Sequence, residues 1–135
     1  IWDPDRVTTK STEAKALEDI CERINEIEKA MRQTTTLSEG KGESVNQLVA
    51  QFQIKEKHCD KIRQIVTYHF MSQRLKPVGK DDGTAYQKYV RQVSLLQELL
   101  YYNMEAKKNN ELCTLEKMRK TVTRFRKVYF EHELQ

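Results

Sequence analysis

The chain has 135 residues, of which 38% are hydrophobic and 33% charged, and its formal net charge is +4. This length suits a single domain. Its four glycines and two prolines are too few for the many turns of a sandwich, a barrel or a doubly wound sheet. No apolar run approaches the roughly 18 residues of a membrane-spanning helix. The composition therefore predicts an all-α protein, an elongated antiparallel hairpin or bundle of long, coiled-coil-like amphipathic helices.

The three cysteines, Cys21, Cys59 and Cys113, are odd in number and widely spaced. This pattern indicates no disulfide framework. We therefore expect an intracellular protein, in the cytoplasm or the nucleus, and interpret the chain as a segment of something larger.

The first part of the chain predicts a lead-in followed by a helix. Residues 1–10 contain Asp3-Pro4 and a threonine pair without helical periodicity, so they are predicted to be extended, and 11–135 to form one helical bundle. The first helix is predicted over 11–33, because apolar residues recur there at spacings of three and four. This seam consists of Leu17, Ile20, Ile24, Ile27 and Met31. The polar run 34–43 is predicted to be a loop.

The second helix is predicted over 44–75. Its apolar seam consists of Val45, Leu48, Phe52, Cys59, Ile62 and Val66. Lys55 and His69 occupy seam positions, where a polar side chain sets register or marks the end of a partner helix. Pro77 favours an end near 75, and 76–83 are predicted to be a loop.

The third helix is predicted over 84–134. Its seam keeps one heptad phase through Leu100 and resumes out of phase at Leu115. Such a phase shift occurs inside continuous helices. A break at Asn109-Asn110, which would create a fourth helix, is the alternative. Because no glycine or proline lies there, the sequence favours a continuous helix.

The middle of the third helix carries a second apolar stripe, about 120° from the main seam. An arc this wide indicates contact with two helices at once. Both could belong to this chain, or one stripe could bind another protein, as a hetero-partner or a second copy. We predict a partner-binding face, formed by Leu95, Leu99, Tyr102 and Ala106.

The C-terminal part of the chain carries a basic stripe at helical spacing. Within 117–127 there are six basic residues and no acidic residue. A stripe of this kind can follow the phosphates of nucleic acid or an anionic membrane. The alternative, which the sequence favours, is a solvated face that pairs with acidic residues such as those of the first helix. The candidate anionic-partner face consists of Lys117, Lys120, Arg124 and Lys127.

No spacing in the sequence indicates catalysis or metal binding. His58 and His69 would lie about 16 Å apart on one helix, too far to share a metal. A helical rod with glycines only in two loops offers no obvious cleft. We therefore predict no catalytic residue, no metal, no cofactor, no small-molecule substrate and no enzyme activity.

The resulting hypothesis is a non-catalytic protein–protein interaction module. In this interpretation the chain is a coiled-coil scaffold segment, a subunit of a protein complex that oligomerises or binds another helix through its apolar stripes. The alternative hypothesis is a phosphate-binding helical module that uses the basic 117–127 face. No motif is specific enough to name a family.

Overall fold

The computed structural model describes residues 4–40 and 45–130, with side chains described from residue 12 onward in these ranges. Within them the chain forms four α-helices and no strand, so the all-α prediction is confirmed. The helices are α1 (Pro4–Glu39), α2 (Val45–Gln64), α3 (Gly83–Lys108) and α4 (Leu112–Phe130); a π-helical segment, Ile65–Ser72, continues α2. No helix in the described ranges is long and apolar enough to span a membrane.

The four helices are arranged so that each packs against two others. α1 packs against α2 and α4, and α3 packs against α2 and α4. Among the described residues, the backbones of the diagonal pairs α1–α3 and α2–α4 do not approach each other closely. Short connections between successive helices produce an antiparallel, up-down-up-down bundle. The prediction of three long helices is therefore corrected to four.

The predicted seams supply the bundle core. The α1 seam from Leu17 to Met31 is buried along its whole length. On α2 and the π segment, Cys59, Ile62 and Val66 are buried as predicted, and Phe70 joins them. The α4 seam is buried at Leu115, Met118, Val122 and Phe125.

The first part of α2 departs from its predicted seam. Phe52 is 44% exposed, and Val45 and Val49 are exposed beside it. The reason is geometric: Lys55 contacts the connection between α3 and α4, donating to the carbonyl of Asn109 over 2.6 Å. Residues 45–54 lie beyond that connection, so α3 does not cover them.

α1 is longer than predicted at both ends. It begins at Pro4 rather than Ser11, so residues 4–10 are helical and not an extended lead-in. Proline is well suited to the start of a helix, because its missing N–H would have no intrahelical partner there. At the other end the helix continues through the threonine run, where the Thr34 and Thr35 hydroxyls donate to carbonyls one turn back. It ends at Glu39, one residue before Gly40.

The second predicted helix is correctly placed but changes its geometry. From Ile65 to Ser72 the hydrogen bonding is π-helical. The wider turn appears in the bond from the Leu75 amide to the Phe70 carbonyl, at 2.9 Å, and in the Ser72 hydroxyl bond to the Thr67 carbonyl. A π segment inside an α-helix is often associated with a functional site.

The prediction of a continuous third helix is wrong, because the chain breaks between α3 and α4. Asn109 adopts an extended conformation with φ −125° and ψ −179°. Its side chain accepts a hydrogen bond from the Glu111 amide, and Asn110 donates to the Met31 carbonyl at 3.0 Å. Lys55 and the Asn109 side chain thus satisfy two backbone groups that the break leaves without helical partners, the Asn109 carbonyl and the Glu111 amide. The Asn110 side chain connects the break to α1.

Candidate functional site

A buried carboxylate lies near one end of the bundle. Glu13, on α1, is only 1% exposed. Arg74, just after the π segment, donates from Nε to Glu13 Oε1 over 2.6 Å. Tyr129, near the end of α4, donates from Oη to Glu13 Oε2 over 2.6 Å. Glu13 therefore joins three elements that are far apart in sequence.

The surroundings of Glu13 favour a proton on the tyrosine. Burial, followed by the hydrogen bond to Glu13, raises the pKa of Tyr129 above its ordinary value. The same carboxylate raises the pKa of Arg74 through its hydrogen bond. At neutral pH the cluster therefore contains a phenol O–H and a guanidinium, both held by one acceptor.

His69 completes this cluster without forming a hydrogen bond to it. Its Nε2 lies 3.4 Å from Glu13 Oε1, yet the atom is buried and has no hydrogen-bond partner in the described part of the chain. The π segment brings its ring edge-on to Phe70 at 4.9 Å, and Phe70 meets Phe125 in the same way at 5.2 Å. Aromatic rings thus flank the cluster on the His69 side, and the hydrogen bonds of the buried Glu13 are stronger there than in water.

A second polar group lies between α2 and α3. Asn103, on α3, donates to the Cys59 carbonyl over 2.8 Å, and its Oδ1 is buried without a hydrogen-bond partner in the described residues. Beside it, Lys107 and Asp60 form an ion pair of 2.9 Å. These residues line a cavity of about 170 Å³. Such a volume holds a few water molecules or a small ion.

The predicted partner-binding stripe on α3 lies inside the bundle. Leu95, Leu99 and Ala106 are 7%, 1% and 0% exposed, and Tyr102 packs partly buried against the same core. α3 contacts both α2 and α4, which accounts for its wide apolar arc. The expectation of an exposed partner face is therefore corrected to internal packing, the alternative that the sequence left open.

The predicted basic stripe lies on the solvent side of α4. Its members are all exposed, and Lys117 also lies over the Tyr102 ring, with Nζ 5.8 Å from the ring centre. Arg119, which flanks the stripe, instead reaches α1 and forms a 2.7 Å ion pair with Glu28. The pairing of basic α4 with acidic α1 thus involves Arg119 and not the stripe.

The three cysteines lie on three different helices. Cys21 is partly exposed on α1, Cys59 is buried on α2, and Cys113 is exposed on α4. Burial raises the pKa of the Cys59 thiol to about 11, so in the absence of a metal this thiol is protonated at neutral pH. Nowhere in the described ranges do three or more His, Cys, Asp or Glu residues come together in a way that could hold a metal ion.

The fold defines the chain as an antiparallel four-helix bundle with a buried polar cluster near one end. A family model described as nickel-containing superoxide dismutase matches residues 1–133, nearly the entire chain. The chain belongs to this family. Comparisons with curated proteins and with solved structures found no match.

This family assignment corrects the functional predictions made from the sequence. The non-catalytic scaffold, its phosphate-binding alternative and the absence of enzyme activity are wrong, because the family is one of enzymes. The associated expectations of oligomerisation and of a complex subunit are unsupported. The prediction of no small-molecule substrate is also wrong, since superoxide is a small anion.

The implied nickel ion does not fit the described residues. Nickel is held by soft or borderline donors, such as thiolates and imidazoles, that converge on one point. Here the cysteines are spread over three helices, and His58 is engaged with Arg23, whose Nη1 lies 3.1 Å from His58 Nδ1. We therefore assign no nickel ligand among the described residues.

The buried cluster went unpredicted although its central residue carries a signal in the sequence. Glu13 lies four residues before Leu17 and so continues the a/d seam by one step toward the N-terminus. An acidic residue at a seam position predicts a buried, paired carboxylate. Its partners Arg74 and Tyr129 are 61 and 116 positions away, and no local pattern identifies them.

Proposed function

We propose that this protein is a superoxide dismutase. The observation that carries the proposal is the family match over residues 1–133, which leaves almost no part of the chain outside the family. In dismutation two superoxide anions and two protons give one O₂ and one H₂O₂. One superoxide is oxidised and the other is reduced, so the overall reaction needs no further oxidant or reductant.

The bundle supports this proposal as a rigid frame for the reaction. Its core is continuous across all four helices, and Glu13 connects α1 to the π segment and α4 at one end. Rigid elements hold functional groups more accurately than loops do. A redox-active metal supplies electron exchange in a dismutase of this kind, and no ligand for it is assigned to the described helices.

The proposal is tested by superoxide decay in the presence of the full-length protein. Superoxide generated by pulse radiolysis is followed by its ultraviolet absorbance, with nickel-loaded protein, with zinc-loaded protein and with an equal concentration of aqueous nickel. We expect first-order acceleration in proportion to the concentration of nickel-loaded protein alone. Decay no faster than with aqueous nickel would overturn the proposal.

A pair of variants on α3 tests whether the activity depends on the folded bundle. Leu99→Glu places a charge in the core, since Leu99 is 1% exposed, and is expected to abolish both helical structure and activity. Tyr101→Glu changes an exposed neighbour on the same helix, 57% accessible, and is expected to preserve both. Activity that survives loss of the bundle would show that the fold has no part in the reaction.

A further inference from the structure

The cavity between α2 and α3 has room for a small organic molecule. Its volume is about 170 Å³. An engineered protein cavity of about 150 Å³ holds one benzene molecule, which has six non-hydrogen atoms. Two of the residues that line the present cavity, Arg63 and Met104, are exposed to solvent. A molecule of similar size can therefore enter without unfolding the bundle.

The cavity contains a hydrogen-bond acceptor that the described residues leave unsatisfied. Asn103, one of the lining residues, is only 5% exposed. Its Nδ2 donates to the Cys59 carbonyl over 2.8 Å, and this bond sets the orientation of the amide. The other amide atom, Oδ1, is buried and has no partner among the described residues. A buried acceptor without a partner is costly, so a ligand that donates one hydrogen bond is favoured here.

The charged groups of the cavity leave one cation available. Lys107 Nζ lies 2.9 Å from Asp60 Oδ1, so each of these two charges is compensated by the other. Arg63 also lines the cavity and forms no ion pair with a described residue. A guanidinium binds a carboxylate through two parallel N–H···O bonds. The charge pattern therefore favours a carboxylate over an ammonium group.

The remaining wall of the cavity is apolar. Leu100 and Met104 lie on the same side of α3, one helical turn apart, and both line the cavity. A methionine side chain adapts to the shape of a small apolar group. An inorganic anion would use the guanidinium and leave this apolar wall in contact with water. A simple alkyl carboxylate would cover the wall and leave the Asn103 acceptor unsatisfied.

We propose that this cavity binds a short-chain hydroxycarboxylate. The carboxylate accepts hydrogen bonds from Arg63, the hydroxyl group donates to Asn103 Oδ1, and the alkyl carbons lie against Leu100 and Met104. One molecule of about six non-hydrogen atoms thus uses each group that the described residues leave available. The site goes beyond dismutation and does not depend on it, because none of the residues of the Glu13 cluster lines this cavity.

The test uses two isomeric hydroxy acids and a control that lacks the hydroxyl group. Lactate and 3-hydroxypropionate are the probes, and propionate is the control. Each sodium salt is titrated into the ¹⁵N-labelled full chain at constant ionic strength, and the amide chemical shifts are followed. At least one probe should give saturable shifts within 60–67 and 100–107, with a Kd of about 1 mM. Propionate should bind at least about tenfold more weakly, because it leaves Asn103 Oδ1 unpaired.

Two results of this titration would overturn the proposal. One is equal affinity for propionate and for the tighter of the two probes, which would show that the hydroxyl group is not recognised. The other is the absence of a saturable shift at the cavity below about 50 mM of either probe. In that case the cavity holds water only, whatever shifts occur at the exposed cations of α4.

A pair of variants tests the role assigned to Arg63. Arg63→Gln removes the cation from an exposed position, and Arg91→Gln makes the same change at an exposed position of α3 that does not line the cavity. Both should keep the circular dichroism of the wild type. Arg63→Gln should weaken binding of the probe about tenfold, whereas Arg91→Gln should leave it unchanged. Wild-type affinity in Arg63→Gln, or an equal loss in Arg91→Gln, would contradict the proposed site.

Discussion

The buried carboxylate permits the sharpest prediction about stability. Replacing Glu13 with alanine removes the acceptor of two hydrogen bonds, each 2.6 Å long. Hydrogen bonds to charged groups contribute about 1.5–3 kcal/mol each. Arg74 is 31% exposed and water will solvate part of its charge, so the lower end of the range applies to it. We expect a loss of about 3 kcal/mol in the free energy of unfolding, or about 10 °C in Tm for a domain of this size.

The assay is urea unfolding followed by circular dichroism at neutral pH. Glu13→Gln is expected to lose about half as much, since its amide oxygen still accepts one of the two bonds. The control is Glu18→Ala on the exposed side of α1, for which a change within about 0.5 kcal/mol is expected. If Glu13→Ala were as stable as the Glu18→Ala control, the cluster would not hold the helices as described.

Three further results are expected. Leu99→Ala should cost about 2–5 kcal/mol in unfolding free energy, because Leu99 is 1% exposed in the core; a neutral result would place it on a free surface. Hydrogen bonds from Arg119 and, to a smaller extent, from Arg32 lower the pKa of Glu28. The ionised Glu28 carboxylate therefore stabilises the fold fully at pH values above the pKa of 4.5 in the unfolded chain, and progressively less as the pH falls below it. The stability difference between wild type and Arg119→Met should therefore shrink between pH 7 and pH 3 in urea titrations, and a constant difference would contradict the ion pair. Cys113 is exposed and should react with a thiol reagent in the native protein, whereas Cys59 is buried and should react only after unfolding. If mass spectrometry found Cys59 modified before Cys113, the burial of Cys59 in the bundle core would be contradicted.

The helix seams were predictable because their signal is local and periodic. Leu17 to Met31 on α1 and Leu115 to Phe125 on α4 are buried as their spacing indicated. The break at Asn109 was not predictable in the same way. It depends on Lys55 and Asn110, which contact positions 54 and 79 residues away. Tertiary hydrogen bonds outweigh the local preference for a continuous helix.

The apolar stripe on α3 shows what sequence periodicity alone cannot predict. Its width indicated two contacting helices, and the structure contains both within one chain. Periodicity reports that a face is buried but not which molecule covers it. The exposure of Lys117, Lys120, Arg124 and Lys127 on α4 follows from helical spacing alone. Spacing places these charges on the surface but does not identify a ligand for them.

The functional class was missed because the described bundle contains no recognisable catalytic grouping. The described residues provide no group of three possible metal ligands, and Glu13, Arg74 and Tyr129 come together only in the folded chain. A prediction of chemistry from spacing needs donors within a few residues of one another. Similarity over the whole chain identified the family instead.

The yields of both products test the proposed function most directly. Nickel-loaded full-length protein is supplied with a large molar excess of superoxide, and O₂ and H₂O₂ are measured against superoxide consumed. Dismutation predicts one O₂ and one H₂O₂ for every two superoxide anions, sustained over many turnovers. Because superoxide also dismutates spontaneously with the same yields, the protein concentration is set so that decay is much faster than in the protein-free control. H₂O₂ formed without O₂ would mean that superoxide is only reduced, with electrons drawn from the protein, and consumption that stops after one equivalent would show that the protein is not a catalyst; either result would contradict the proposal.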